Sequence, residues 1–275
     1  MNDKQQQMEK QNQRIEENLK IIQHRIVVFS GKGGVGKTTV AVNVAYSLLR
    51  NKYKVGLLDA DITGPNVPQM VGLQGFPRTD PENQNILPQE KAGLQVISMA
   101  PMVPKDAPVV WRGPLRSGAI TQFLSDVVWG ELDYLLADLP PGTGDEVLTT
   151  AQRMLPQMAI VVTTPQDVSL SDCRRAVNMA KKLNIPFIGV VENMSGLICP
   201  HCGKEVEIFG KGGGEKMADE MGAVFLGRIP MDLETRQGGD MGMPIVLTNP
   251  SSKITEALLT ITQNAVTLLK EQSGK

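Results

Sequence analysis

The stretch that decides the fold is RIVVFSGKGGVGKTT, Arg25–Thr39. Its second half matches G-x-x-x-x-G-K-[ST] through Gly31, Gly36, Lys37 and Thr38. The motif follows an apolar run suited to a buried strand and precedes TTVAVNVAYSLL, which reads as a helix. In that setting the backbone N–H groups from Gly31 through Gly33, Gly34 and Val35 to Thr39 can curl around phosphate oxygens. The helix N-terminus adds its positive end. Lys37 is then placed to meet the outer phosphates of a nucleoside triphosphate, and the Thr38 hydroxyl to bind Mg²⁺. An accidental glycine turn would not carry the whole motif between a strand and a helix. The loop also holds a second lysine, Lys32. One lysine suffices to hold a phosphate within one chain, so Lys32 needs another explanation.

Outward from this loop, short apolar runs alternate with longer helical patterns. Strands are expected at Ile26–Phe29, Val55–Leu58, Leu94–Ser98, Tyr134–Ala137, Ala159–Thr163, Phe187–Glu192 and Val224–Arg228. Several are rich in Val, Ile and Leu without polar alternation, as parallel strands buried on both faces require. Helices are expected at Thr38–Asn51, Arg116–Trp129, Asp145–Met154, Ser169–Leu183, Gly214–Met221 and Ser251–Glu271. The alternation predicts an α/β fold with a doubly wound, mostly parallel sheet in a single domain spanning residues 23–275. Residues 1–22 form a polar lead-in, either a solvated helix or unordered. The segment Gly72–Ala92, with three prolines, reads as an irregular surface excursion. The final helix (251–271) has Thr, Gln, Asn and Glu on its polar face. It therefore reads as packed on the sheet rather than as a basic membrane anchor.

Composition narrows the partners. The 275 residues are 41% apolar and 21% charged, ordinary for a globular chain. The net charge of −1 and an aromatic content of 4% argue against nucleic-acid binding. No apolar run is long enough to cross a bilayer, and the N-terminus lacks a signal peptide's apolar stretch. A cytoplasmic location without membrane association is expected.

A nucleoside triphosphatase also needs carboxylates at neighbouring strand ends. The run VGLL ends in Asp59-Ala-Asp61, and YLLA ends in Asp138 followed by LPPGTGD. Both place acidic groups at the carboxyl edge of the sheet, where such folds bind ligands. Asp138 suits the Mg²⁺-water role, Asp61 the orientation of an attacking water, and the glycines after Asp138 a loop that senses the last phosphate.

The double-lysine loop GKGGVGKTT resembles the deviant Walker A motif of the SIMIBI P-loop ATPases, which include MinD, ParA, the nitrogenase iron protein and the arsenite pump ATPase. Narrower motifs are LDADITGPNVP (58–68), WRGP (111–114), DYLLADLPPGTGDE (133–146), VVENMSG (190–196) and CPHC (199–202). Together they resemble the Mrp-type, ApbC-like iron–sulfur cluster carrier ATPases from about Arg25 to Gly242. The resemblance implies a homodimer in which Lys32 reaches phosphates bound by the other subunit, much as an arginine finger does. It also implies that Asn193 contacts the adenine of ATP and that Asp59 lies at the nucleotide site, with apo iron–sulfur proteins as recipients and a slow ATP hydrolysis. No cysteine precedes Cys173, so the chain resembles the short form without a second, N-terminal centre.

Three cysteines, Cys173, Cys199 and Cys202, are no disulfide framework. Cys173 sits in a helical pattern and reads as a packing residue. The pair Cys199-Pro-His-Cys202 supplies two thiolates, too few for a tetrahedral metal site or a four-iron cluster. Two copies facing across a two-fold axis would supply four. By itself a CxxC is compatible with zinc, a redox dithiol or a cluster. The resemblance selects a 4Fe–4S cluster bridging the dimer, ahead of structural zinc or a MinD/ParA-like positioning ATPase.

Overall fold

The computed structural model describes residues 3–83, 85–102, 113–199, 201–202 and 204–273. Trp111 and Arg112 of the WRGP motif and Pro200 of the cysteine loop lie outside the described residues. The chain opens with α1 (Asp3–Lys20), β1 (Ile22–Phe29), α2 (Lys37–Arg50), β2 (Val55–Asp59) and a short α3 (Val67–Val71). Three short strands follow, β3 (Arg78–Thr79), β4 (Ile86–Leu87) and β5 (Gln89–Lys91), and then β6 (Leu94–Ser98). The alternation resumes with α4 (Gly113–Asp126), β7 (Leu132–Asp138), α5 (Asp145–Met154), β8 (Met158–Thr163), α6 (Asp167–Lys182) and β9 (Phe187–Ile198). It ends with β10 (Glu205–Val206), α7 (Gly213–Glu220), β11 (Val224–Met231), α8 (Leu233–Met241), α9 (Ile245–Thr248) and α10 (Lys253–Ser273).

Parallel pairing runs β11–β9–β8–β1–β7–β2–β6, with β5 antiparallel on β6 and β10 antiparallel on β9. This is the doubly wound, mostly parallel sheet that the alternating sequence pattern implies. β1 is flanked by β7 and β8; the chain leaves it toward β2 on one side and later returns to β8 on the other. Such a reversal opens a crevice at the carboxyl ends of the strands. Val27 and Phe29 face one helical layer (α1, α4, α5, α6, α7), while Ile26 and Val28 face the other (α2, α3, α9, α10). Burial on both sides is why IVVF carries no polar alternation. α10 packs Ile254, Leu258, Ile261 and Leu269 into the second layer.

Three segments depart from the sequence reading. The stretch 72–92 is not wholly irregular, since β3 and β4 form a hairpin and β5 extends the sheet (Gln89↔Val96, Lys91↔Leu94). β5 reads Gln-Glu-Lys, an edge strand whose two exposed residues give no apolar signal. β9 runs six residues past Glu192, to Ile198. α8 is a helix despite Gly238 and Gly239, started by Asp232, whose carboxylate accepts from the Thr235 N–H at 2.7 Å.

The lead-in forms a helix with one apolar face. Ile15 and Leu19, four residues apart, are buried. Asn18 donates to the Leu124 and Ser125 carbonyls, both at 3.0 Å, closing off orphan carbonyls at the end of α4. Ile15→Ala is therefore expected to lower the free energy of unfolding by about 2–4 kcal/mol. A freely solvated helix would move it by less than about 0.5 kcal/mol in urea titration.

Candidate functional site

The phosphate loop leaves β1 at Ser30 and enters α2 through Gly36, whose left-handed backbone (φ 83°) lets the chain turn into the helix. A side chain at Gly36 would also collide with the Asn193 amide. The loop is pinned by Ser30, whose hydroxyl donates to the Lys32 carbonyl at 2.8 Å and whose carbonyl accepts from the Gly142 N–H at 2.8 Å. The second contact ties the loop after Asp138 to the start of the phosphate loop. Gly33, Gly34, Gly36, Lys37, Thr38, Thr39, Asp61 and Pro141 line a cleft of about 370 Å³.

Strand register brings the acids to the cleft. Asp138 at the end of β7 lies opposite Val28 of β1 on one side and Asp59 of β2 on the other. Lys37 Nζ donates to Asp138 Oδ1 at 2.6 Å, and Thr38 Oγ1 donates to Oδ2 at 2.7 Å. Lys37 Nζ is also 4.0 Å from Asp61 Oδ2. Burial raises the Asp138 carboxyl above its usual range, while Lys37 and Thr38 pull it back. Asp59 is wholly enclosed and does not line the cleft. Burial, reinforced by the negative charge of Asp138, pushes the Asp59 carboxyl well above the usual carboxylate range. Its oxygens accept from Asp61 N–H, Val67 N–H and Ser98 Oγ. Asp59 therefore braces the loop that carries Asp61 and the start of α3. Asp61 Oδ1 accepts from Thr63 Oγ1 and the Gly64 N–H.

Asn193 lies against the phosphate loop, its Nδ2 donating to the Val35 carbonyl at 2.8 Å. Lys32 is exposed, and its ammonium makes no hydrogen bond or ion pair among the described residues. The far wall of the cleft was missed by the sequence reading: Asn66, Gln69 and Met70 from α3 and its cap, and Gly239 and Asp240 from α8. Asn66 follows the DADITGP run directly, so that motif could have flagged it. α8 carries no phosphate signature and reaches the cleft only by packing on α3.

The cysteine pair sits where β9 turns into β10. Cys199 N–H donates to the Lys204 carbonyl at 2.9 Å, closing the loop. Hydrogen bonding from the backbone of Cys202 and His201, and from the Cys202 thiol, lowers the Cys199 thiol below its usual range. Cys202 is exposed and Cys199 half-buried. No group of three or more metal-ligating side chains occurs among the described residues. Cys173 is buried in the α6 face of the core, and burial pushes its thiol up to about 12.

Residues 21–266 match the family described as ParA, NUBPL iron-transfer P-loop NTPase. The chain belongs to this family. Among similar proteins is the iron–sulfur cluster carrier protein of Methanocaldococcus jannaschii, 55% identical over 86% of this chain and 82% of its own. The carrier protein of Pyrococcus horikoshii is 49% identical over 95% and 92%. A nucleotide-binding protein of Archaeoglobus fulgidus, solved with ADP, superposes with a TM-score of 0.74 at 38% identity, covering 84% of this chain and 91% of its own. The cell-division ATPase MinD of Pyrococcus furiosus shares the fold at 23% identity and a TM-score of 0.66, over 90% of this chain and all of its own. The cleft of the present chain is thus lined by the phosphate loop of a P-loop NTPase. Among the described residues no helix is long and apolar enough to cross a membrane.

The thiol environments differ enough to be read chemically. Iodoacetamide should modify Cys199 with a pH profile below that of a free thiol, because the thiolate forms at lower pH. Cys173 should stay unmodified until the protein unfolds; peptide mass spectrometry after timed quenching follows all three.

Proposed function

We propose that two copies of this chain form a cytoplasmic, ATP-hydrolysing carrier that holds a 4Fe–4S cluster between two Cys199/Cys202 pairs and passes it to apo iron–sulfur proteins. The observation that carries this reading is the half-site at the β9–β10 turn. Two thiols at a surface turn, Cys202 exposed and Cys199 half-buried, form a ligand pair that a second copy completes. The carrier names of relatives at about half identity support the same cargo.

The nucleotide end follows from the cleft. Backbone N–H groups from Gly31 to Thr39 would cradle the phosphates, and Lys37 would exchange Asp138 for phosphate oxygens. Thr38 and Asp138 would hold Mg²⁺, which neutralises phosphate charge when bound. Asp61 orients the attacking water from its place in the cleft, and Asp59 acts behind it as a brace. The Asn193 oxygen and second N–H remain available for the adenine. Exposed Lys32 would serve the partner's phosphates, since its ammonium has no partner of its own among the described residues.

Anaerobic reconstitution with iron and sulfide should give cluster absorbance in the native chain and none in the Cys199→Ala/Cys202→Ala variant. Absorbance unchanged in the variant would refute the assignment, and zinc in anaerobically purified protein would favour a structural metal. Lys32→Ala should lower ATP turnover by roughly 10³-fold or more with nucleotide affinity kept. Lys37→Ala should instead lose nucleotide affinity. It also leaves Asp138 buried without its cation, so binding must be read beside the unfolding midpoint.

A further inference from the structure

β9 is not one uniform strand. It pairs with β8 up to Thr163↔Glu192 and with β11 up to Ile229↔Asn193. The next β11 pairing is Met231↔Leu197, so four steps along β9 match two along β11. The surplus forms a bulge in which Met194 (φ 57°) and Gly196 (φ 77°) are left-handed. That backbone costs a methionine about 1 kcal/mol or more. Neighbouring groups must therefore hold it.

Glu192 does so from a fully buried position. One carboxylate oxygen accepts from Ser195 Oγ at 2.6 Å and the Gly212 N–H at 2.9 Å; the other accepts from the Gly214 N–H at 2.5 Å. Arg228 Nε lies 3.9 Å away. The bulge is thereby fastened to the glycine loop that opens α7. In the same loop Lys211 Nζ pairs with Glu205 of β10 at 2.6 Å. Glu205 in turn lies so close to Gly196 that a Cβ there would come within 2.6 Å of its Oε1. One loop grips both the bulge and the hairpin that carries the cysteines. At the other end of the bulge, Asn193 holds the Val35 carbonyl and leaves Gly36 no room for a side chain.

We propose that the Glu192-pinned bulge Asn193–Gly196 is a relay within one chain, through which nucleotide at the phosphate loop sets the position of Cys199 and Cys202. It rests on the reading of the cleft as the ATP site and of the cysteines as the cargo site. Phosphate engagement acts on Val35 and Gly36 themselves. Asn193 is packed against both, and close-packed groups without slack pass displacement on rather than absorb it. Residues 194–196 of the bulge are the one part of β9 paired with no strand on either side, and their far end is the base of the hairpin.

The test follows iodoacetamide modification of Cys199 and Cys202 in the full-length chain. Rates are taken without nucleotide, with Mg-ADP and with a slowly hydrolysed Mg-ATP analogue, and Cys173 serves as the buried reference. Nucleotide should change the rate at one or both cysteines by about fivefold or more. In Glu192→Gln and Ser195→Ala the difference should fall to within about twofold, while affinity for a fluorescent ATP analogue stays near native. Glu192→Gln sets an amide N–H against a buried donor and should lower the unfolding midpoint, whereas Ser195→Ala should leave it near native. Ser195→Ala leaves the backbone donors to Glu192 in place, so it keeps the test sharp if Glu192→Gln folds poorly. A native rate indifferent to nucleotide overturns the relay, as does a difference that survives in the variants. A difference abolished by Lys32→Ala but untouched in the bulge variants overturns it in favour of coupling across the dimer. Alkylation needs no cluster, so failure of the relay and failure of the carrier reading show up in separate experiments.

Discussion

Lys37 and Asp138 meet at 2.6 Å behind the phosphate loop, and the carboxyl edge of the sheet is arranged around that contact. Both groups are buried, and either alone would be an uncompensated charge costing several kcal/mol. The pair is made possible by register: β7 ends level with Val28 and Asp59, directly beside the strand from which the loop departs. Thr38 takes the second Asp138 oxygen, so the first turn of α2 is fixed by the same carboxylate. On the proposed reading, an arriving triphosphate would meet a lysine already held in place. It would replace one anionic partner by another rather than order a free side chain, which lowers the entropic cost of binding.

This arrangement explains which parts of the molecule the sequence discloses. The central strands are legible because burial on both faces leaves runs such as IVVF and AIVVT with no other use. The phosphate loop and the acids at Asp61 and Asp138 are legible because their chemistry depends on local spacing. Where structure is made by tertiary contact, the signal fades. β5 is a polar edge strand, and α8 contains two glycines; α1 hides Ile15 and Leu19 in an otherwise polar run. The far wall of the cleft exists because α3 and α8 pack through the close approach of Gly72 and Gly242, a contact spanning most of the chain. Glu192 is similar: nothing around it announces that its backbone donors are 20 and 22 residues further on.

The two ends of the proposed carrier ask opposite things of one strand. At the nucleotide end, Asn193 must be held closely enough to feel the phosphate loop, and it sits in register with β11 and against Gly36. At the cargo end the ligands must stay accessible, since a cluster sealed by four protein ligands in a closed site would be hard to give away. The Cys199 thiol is lowered chiefly by hydrogen bonding from the backbone of its own loop, which does not require enclosing the pair. A continuous ladder along β9 would carry the rigidity of the sheet straight into that loop. The bulge interrupts the ladder where the two demands meet. Glu192 restores only as much order as three hydrogen bonds and one distant guanidinium supply. Strand pairing up to Asn193, and a buried carboxylate in its place over the next three residues, thus follow from a two-residue surplus along β9.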